Sequence, residues 1–305
     1  MPDVVVESGV VLGFGGTNAR FGVAEKGDIT GFTSISTPPK SREFFGWMAN
    51  QILDATEAGH SWMVAGFPGP VTPDGELIGP FENVPGLSDR QYKLTEELTA
   101  ADAAAERILS EGFKVIAVND GELAAQAAAV SVGGNRFTKT AALILGTGVG
   151  AGIVKKDPAF TDVHRADRSN PTEIGHLLLS DNPADTFENL VSGPSLERDY
   201  KANPEELPNG HMAWRRVGSV TGRLATMLGM MNGAELVVPC GGVGSGASEK
   251  YWPYLEEVIQ YYVERGNRTQ RLFLPEIFPV PASQAQTFEL FGGEPVMRDF
   301  LTRAV

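Results

Sequence analysis

The fold of this chain is decided by the sequence GTGVGAG at residues 146–152. A continuous apolar run, AALIL at residues 141–145, precedes it, and Ile153 and Val154 follow it. A strand, a glycine turn and a second strand is the simplest structure for that pattern. Glycines let the backbone turn tightly and bring its N–H groups against an anion, usually a phosphate. The stretch therefore predicts a phosphate-binding β-hairpin.

A second stretch near the N-terminus repeats this arrangement, with VVLGFGGTNARFGV at residues 10–23. A third glycine pair, at residues 241–242, follows an apolar run. None of the three fits the Walker pattern, because no lysine follows at the required place. The first two are not dinucleotide fingerprints, because their strands do not lead directly into a helix. Together they predict an α/β fold of two actin-like (ribonuclease H-like) domains with a ligand cleft between them.

Composition narrows the class of protein. The chain has 305 residues, enough for two domains, and an ordinary globular content of 42% apolar and 21% charged residues. Its formal net charge of −13 argues against a nucleic-acid partner, because a phosphate backbone would be repelled. The single cysteine, Cys240, excludes an internal disulfide and a cysteine-rich zinc site. The first residues lack the order of a signal peptide and no apolar run has membrane length, so we expect a cytoplasmic protein without membrane contact.

Periodicity predicts the remaining elements. In the first half these are a strand over 29–36, a helix over 44–58, strands over 62–66 and 115–118, a helix through 101–109 capped by Thr95, and a helix over 122–130. In the second half they are helices over 187–200 (interrupted at 192–194), 213–231, 248–265 and 294–303, and strands over 235–240 and 271–274. We expect a smaller N-terminal domain at residues 1–118, joined by the helix 294–305, and a larger domain at 119–293.

Three polar residues have both a functional and a structural interpretation. Asp120 follows a predicted strand, and ligands bind at the carboxyl ends of strands in α/β sheets, but it could equally cap the next helix. His176 lies three residues after Glu173, which favours a site, although a lone histidine is more often a satisfied core residue. Glu188 could be a solvated charge at a helix start, but the Ser-Gly-Pro at 192–194 is not otherwise needed in a helix.

Seven segments occur here in the order of one known family. They are GGTNAR at 15–20, GFPGP at 66–70, NVPG at 83–86, ND at 119–120, GTGVG at 146–150, EIGH at 173–176, and Glu188 with SGP at 192–194. In this combination the chain resembles the ROK family (repressors, unidentified reading frames, sugar kinases), particularly its glucokinase-like members. The resemblance covers residues 10 to about 245. No helix-turn-helix precedes the first hairpin, so we expect the kinase branch and not the repressor branch.

The resemblance implies roles for individual residues. Asp120 would be the general base that draws a proton from the attacking sugar hydroxyl. Sugar hydroxyls would be bound by Asn83, Asn119, Glu173, His176 and Glu188. ATP, carried with Mg²⁺, would be held at Gly15, Gly16, Thr17, Asn18, Gly146, Thr147 and Gly148, with Gly241 and Gly242 facing the adenosine. No side chain is assigned as a metal ligand, and a homodimer is expected because dimers are common in the family.

The chain also departs from the family pattern. Gly13 stands where the family normally has an aspartate, two residues before the glycine pair, that helps to hold the Mg²⁺ shell. Another carboxylate or a water network could serve the metal, the phosphate donor could be handled differently, or activity could be low or absent. Beside the Asn-Asp pair, Val118 and Glu122 replace a common glutamate and a frequent second asparagine. Many members bind zinc through the equivalent of His176 and three cysteines, but residues 177–187 contain no cysteine, so no structural zinc is expected.

The sequence thus predicts a hexokinase or glucokinase of glycolysis that converts a hexose, glucose preferred, to its 6-phosphate with ATP. Two alternatives stay open. One is a non-catalytic sugar-binding or regulatory protein of the same fold, motivated by Gly13. The other is a hexose kinase that uses polyphosphate in place of ATP.

Overall fold

The structure, a computed structural model, describes residues 6–84, 86–132, 136–160, 163–166 and 173–303. Two compact units are formed. Unit 1 contains Met1–Ala127, Asp157–His164 and Glu289–Val305, and unit 2 contains Ala128–Lys156 and Arg165–Phe288. The domain boundaries and the ligand cleft expected from the sequence stay predictions.

The strands are β1 Gly9–Phe14, β2 Asn18–Glu25, β3 Asp28–Ser36, β4 Trp62–Phe67, β5 Leu77–Ile78, β6 Tyr92–Lys93, β7 Lys114–Asn119, β8 Lys139–Leu145, β9 Val149–Lys156, β10 His164–Ala166, β11 Leu236–Cys240 and β12 Glu276–Ile277. The helices are α1 Ser41–Glu57, α2 Leu94–Ala101, α3 Ala103–Ser110, α4 Asp120–Ser131, α5 Phe187–Val191, α6 Gly193–Tyr200, α7 Met212–Asn232, α8 Gly241–Gly246, α9 Ser248–Arg265, α10 Arg268–Leu272 and α11 Gly293–Arg303. None of the helices in this described part of the chain has the length and apolar composition that crossing a membrane requires.

Unit 1 is built on a sheet of order β3-β2-β1-β4-β7. The hairpin β1/β2 is antiparallel, whereas β4 runs parallel to β1 and β7 runs parallel to β4. Every residue of β1 and β4 is buried, as expected for central strands that are covered on both faces. The carboxyl ends of β1, β4 and β7 therefore lie at one edge of this sheet.

Aromatic rings fill one side of the unit 1 sheet. Phe14, the last residue of β1, stacks on Phe67 at a centroid distance of 5.2 Å, and Phe67 stacks on Phe81 at 5.6 Å. Phe44 of α1 joins the same cluster at 4.6 Å from Phe14. Such ring pairs contribute about 0.5–1.5 kcal/mol each beyond the burial of their area. The strand that enters the first glycine turn is thus fixed by large, rigid neighbours.

Unit 2 repeats the same strand order, as β10-β9-β8-β11-β12. Its hairpin β8/β9 is antiparallel, and β11 is parallel to both β8 and β12. The long amphipathic helix α7 packs its buried face into the core of this unit and ends at Gly233, whose positive φ of 68° permits the closing turn. The prediction that each half opens on a strand–glycine–strand hairpin is confirmed.

Two local predictions were wrong. Residues 271–274 do not form a strand: Asn267 and Gln270 make a capping box that starts α10, and the last strand is β12. Thr95 does not cap a helix, because it lies inside α2, and the Asp102 side chain accepts from the Ala104 N–H to start α3. The third glycine pair, at 241–242, follows β11 as expected and forms the start of α8.

Candidate active site

The first hairpin turn, in unit 1, is closed by backbone hydrogen bonds. The Gly15 N–H donates to the Asn18 carbonyl at 2.8 Å, and the Thr37 N–H donates to the Thr17 carbonyl at 3.0 Å. The Thr37 hydroxyl donates to the Gly15 carbonyl at 2.8 Å. Gly15 and Gly16 are half-buried, whereas Thr17 and Asn18 are exposed. Hydrogen bonds therefore fix the base of the turn, while Thr17 and Asn18 at its tip stay accessible to solvent.

Asn119 and Asp120 lie at the same edge of the unit 1 sheet, where β7 passes directly into α4. The Asn119 amide donates from Nδ2 to the Gly69 carbonyl at 2.9 Å, and its Oδ1 accepts from the Gly121 N–H at 2.9 Å. Asn119 thus ties the loop after β4 to the end of β7. Its amide still has a second N–H and a second lone pair, so the predicted contact with a sugar hydroxyl is chemically open.

Asp120 is the first residue of α4 and is half-buried. Its Oδ1 accepts from the Gly121 N–H at 2.8 Å. Asp120 thus lies at a helix start and at the carboxyl edge of a parallel sheet, a position that fits the capping and the ligand-binding interpretations alike. Its role as general base stays a prediction. A carboxylate is a group that can accept a proton from a ligand hydroxyl.

The second hairpin turn, in unit 2, is braced by groups from α5 and α6. The Gly146 N–H donates to the Gly148 carbonyl at 2.9 Å, and the Gly193 N–H donates to the Gly146 carbonyl at 2.7 Å. Glu188 Oε2 accepts from the Val149 N–H at 2.9 Å. The Ser-Gly-Pro interruption predicted between the two helices thus has a use, since it presents Gly193 to the turn.

The start of α8 lies beside this second turn. Gly241 has a φ of +87°, and a Cβ atom there would lie 2.7 Å from the Leu145 carbonyl oxygen. A Cβ on Gly146 would lie 3.9 Å from the Gly242 N atom. Both glycine segments that the resemblance assigns to the nucleotide in this half are therefore neighbours in the structure. Only glycine at 241 permits so close an approach.

The predicted sugar-binding residues of unit 2 are arranged less tightly. Glu173 precedes a short 3-10 helix, Ile174–His176, and His176 is its last residue. Both are exposed, and His176 Nε2 lies 3.9 Å from Glu173 Oε2. Gly175 between them packs directly under the hairpin, because a Cβ there would overlap the Val149 carbonyl oxygen. Hence Glu173, His176 and Glu188 all lie on segments that contact β9. In unit 1, Asn83 is exposed on the loop after Phe81.

One further residue at the first hairpin was missed by the sequence analysis. Glu289 Oε1 accepts from Arg20 Nη1 at 2.9 Å, and the two residues are 269 positions apart. Arg20 is the partner of Gly13 across the β1/β2 ladder. The sequence showed that the usual aspartate is replaced by Gly13. No local pattern indicated that Glu289 would lie next to Gly13.

Comparison with known proteins identifies the class. The ROK family model matches residues 10–289, so the chain belongs to the ROK family. It is similar in structure to the ROK hexokinase of Thermus thermophilus, with 22% identity, a TM-score of 0.69, and 97% and 99% of the two chains covered. It is also similar to a ROK family glucokinase from Streptomyces griseus in complex with glucose and AMPPNP, with 17% identity, a TM-score of 0.68, and 98% and 99% covered.

A third similar structure is the inorganic polyphosphate/ATP-glucomannokinase of an Arthrobacter strain, with 18% identity, a TM-score of 0.66, and 97% and 100% covered. No curated protein sequence matches the chain significantly. The mixed α/β fold with two five-stranded sheets matches these ROK kinases, which have the actin-like ATPase fold. The predicted family and fold class are confirmed.

Proposed function

We propose that this protein is an ATP-dependent hexose kinase, with glucose as the preferred sugar and Asp120 as the general base. The observation that carries the proposal is the position of Asp120 at the carboxyl edge of the sheet whose central hairpin forms the first glycine turn. Phosphoryl transfer needs mainly positioning and charge stabilisation, with one carboxylate at the attacking oxygen. In unit 1 this edge of the sheet carries both the glycine turn, whose N–H groups can bind phosphate, and the Asp120 carboxylate.

In the proposed reaction the Asp120 carboxylate accepts the proton of the sugar hydroxyl as that oxygen attacks the γ-phosphorus of ATP. The bond from this phosphorus to the β–γ bridging oxygen breaks, and ADP leaves. Asn119 orients the sugar and keeps the loop after β4 in place through Gly69. Backbone N–H groups of the two glycine turns hold the phosphates. Mg²⁺, when bound with the nucleotide, would supply positive charge that offsets the charge of the phosphates. Glu173, His176 and Glu188 are proposed to bind the remaining sugar hydroxyls. The homodimer and the cytoplasmic location expected from the sequence stay predictions.

A coupled assay of ADP release, with a panel of hexoses, tests the proposal. Asp120→Asn should lower kcat by about 10²–10⁴, the usual contribution of general-base catalysis, while calorimetry still detects sugar binding. Asp102→Asn is the matched control, because the Asp102 side chain also lies at a helix start in unit 1, where it accepts from the Ala104 N–H. Full turnover in Asp120→Asn would refute the role of the base.

The same assay separates the alternatives. Sugar binding without ADP release from any hexose would favour the non-catalytic binder. Turnover with polyphosphate but not with ATP would favour the alternative of a polyphosphate-dependent hexose kinase.

A further inference from the structure

Gly13 leaves a space in β1 that another side chain fills. A Cβ atom at Gly13 would lie 2.6 Å from Glu289 Oε1 and 3.1 Å from Glu289 Cδ. Gly13 is buried and stands two residues before the Gly15-Gly16 pair. The carboxylate of Glu289 thus occupies the place where a side chain on this strand would begin.

The segment that carries Glu289 is firmly fixed on the unit 1 sheet. Leu290 is fully buried in the cluster that includes Val11 and Leu123. A Cβ on Gly292 would overlap the Leu123 carbonyl oxygen, and a Cβ on Gly293 would overlap the Val11 side chain. Since well-packed interiors leave little freedom to shift, these contacts set the position of Glu289 to within a small range.

Arg20 orients the carboxylate without fully occupying it. The guanidinium Nη1 lies 2.9 Å from Oε1, and the two side chains are 24% and 26% exposed. Because a carboxylate has about four lone-pair sites, Glu289 can accept further donors or water while the ion pair is kept. An ion pair this accessible adds at most about 1 kcal/mol to stability, which gives little reason for so exact a placement.

The chemistry of Mg²⁺ fits a single carboxylate at this place. Among the residues that the structure describes, no group of three or more His, Cys, Asp or Glu side chains is suited to hold a metal. Mg²⁺ at a nucleotide does not need such a group, because it keeps several waters and binds one or two carboxylates together with the phosphates.

We infer that Glu289 is the carboxylate of the first hairpin, taking the place left by Gly13 and positioning the Mg²⁺-bound phosphates of the nucleotide. The inference rests on the proposed function, because it requires a nucleotide at this turn. Glu289 is then a positioning residue. Its carboxylate is supplied from near the end of the chain and not by a side chain of β1.

Calorimetric titration of a non-hydrolysable ATP analogue, with Mg²⁺ and then with a chelator, tests this directly. The measured quantity is the Mg²⁺ gain, the ratio of the dissociation constants without and with Mg²⁺. In Glu289→Gln the Mg²⁺ gain should fall about tenfold or more, the scale on which supporting ligands affect metal affinity. Binding in the chelator should stay unchanged.

Two control variants separate this role from a structural one. Glu294→Gln removes an ion pair of the same N–O distance, 2.9 Å to Arg298, from the same part of the chain, and should leave the Mg²⁺ gain unchanged. Arg20→Met removes the ion pair with Glu289 but keeps the carboxylate, and should retain most of the gain. Equal Mg²⁺ gains in the wild type and Glu289→Gln would overturn the inference.

A positional swap keeps the test decisive if Glu289→Gln folds poorly. In Gly13→Asp alone the new carboxylate meets that of Glu289, so we expect lower stability and no increase in the Mg²⁺ gain. In Gly13→Asp/Glu289→Ala the acid returns to the strand, and the Mg²⁺ gain should be restored; a folded swap variant without it would overturn the inference.

The proposed function and this inference fail differently. A wild type that binds no nucleotide under either condition contradicts both. A wild type that binds the Mg²⁺ complex and phosphorylates a hexose, with an unchanged gain in Glu289→Gln, contradicts the role of Glu289 alone.

Discussion

The two glycine hairpins have the same topology but are stabilised by different means. Each is an antiparallel pair within a five-stranded sheet, and the first strand of each pair has a parallel strand on its other side. At the first, a carboxylate from the far end of the chain pairs with the side chain of Arg20. At the second, Glu188, 39 residues from Val149, accepts a backbone N–H of the turn.

This difference separates the tasks of the two carboxylates. Glu188 accepts a hydrogen bond from the Val149 N–H, so it helps to define the shape of its turn. This role is in addition to the proposed contact with sugar. Glu289 satisfies no backbone group among the described contacts, and the first turn closes through its own carbonyls and Thr37. The second hairpin therefore depends on its carboxylate for structure, whereas the first has its carboxylate available for a ligand.

The largest effect is expected for Gly175→Ala. The new Cβ would overlap the Val149 carbonyl oxygen, a backbone atom that cannot move away without shifting β9. Overpacking of this kind costs about 1–3 kcal/mol, and backbone overlap places it at the upper end. Urea denaturation measures the loss.

Gly150→Ala is the matched control for that variant, because a Cβ there meets nothing within 4 Å. Its stability should stay within about 0.5 kcal/mol of the wild type. Equal losses in the two variants would show that Gly175 does not support the second hairpin.

A smaller effect is expected for Glu188→Ala, which leaves the Val149 N–H without its side-chain acceptor. The loss should be about 1–3 kcal/mol, the usual range for a donor left unsatisfied. Glu188→Gln should restore most of it, because the amide oxygen still accepts. Glu197→Ala, on the exposed side of α6, serves as the control. If Glu188→Gln loses as much stability as Glu188→Ala, the negative charge of Glu188 and not its hydrogen bond stabilises the turn.

The smallest effect at neutral pH concerns Tyr92, in the aromatic core of unit 1. Burial and a hydrogen bond to Asp89 raise the pKa of its hydroxyl from 10.0 to about 12. Since the folded-state pKa lies above the unfolded one, this contribution is fully present below pH 10 and is lost as the pH rises through about 12. Tyr92→Phe should be about 1 kcal/mol less stable at neutral pH, the typical value of one hydrogen bond.

Denaturation series across this alkaline range check the prediction. The wild type should lose stability faster than Tyr92→Phe, so that the difference between them narrows. Tyr261→Phe, at a side chain 62% exposed, should show no such narrowing. A constant difference across the range would contradict the assignment to Tyr92.

Local patterns were sufficient for most elements and insufficient at their ends. The apolar runs of β1, β4, β8 and β11 and the amphipathic spacing of α1, α7 and α9 identify these elements without tertiary information. The error at residues 271–274 arose because a short apolar run fits strand and helix equally well, and the capping pair at Asn267 and Gln270 decided it.

The sequence by itself determined the two glycine hairpins, the family and the candidate base at Asp120. These depend on residue types at short, fixed spacings, which a linear pattern preserves. Only the tertiary structure placed Glu289 over Gly13, through the packing of Leu290, Gly292 and Gly293 on the sheet. The ion pair that holds the carboxylate there joins Glu289 to Arg20, 269 positions away. A missing side chain can be seen in a sequence, but the residue that fills its space is chosen by the fold.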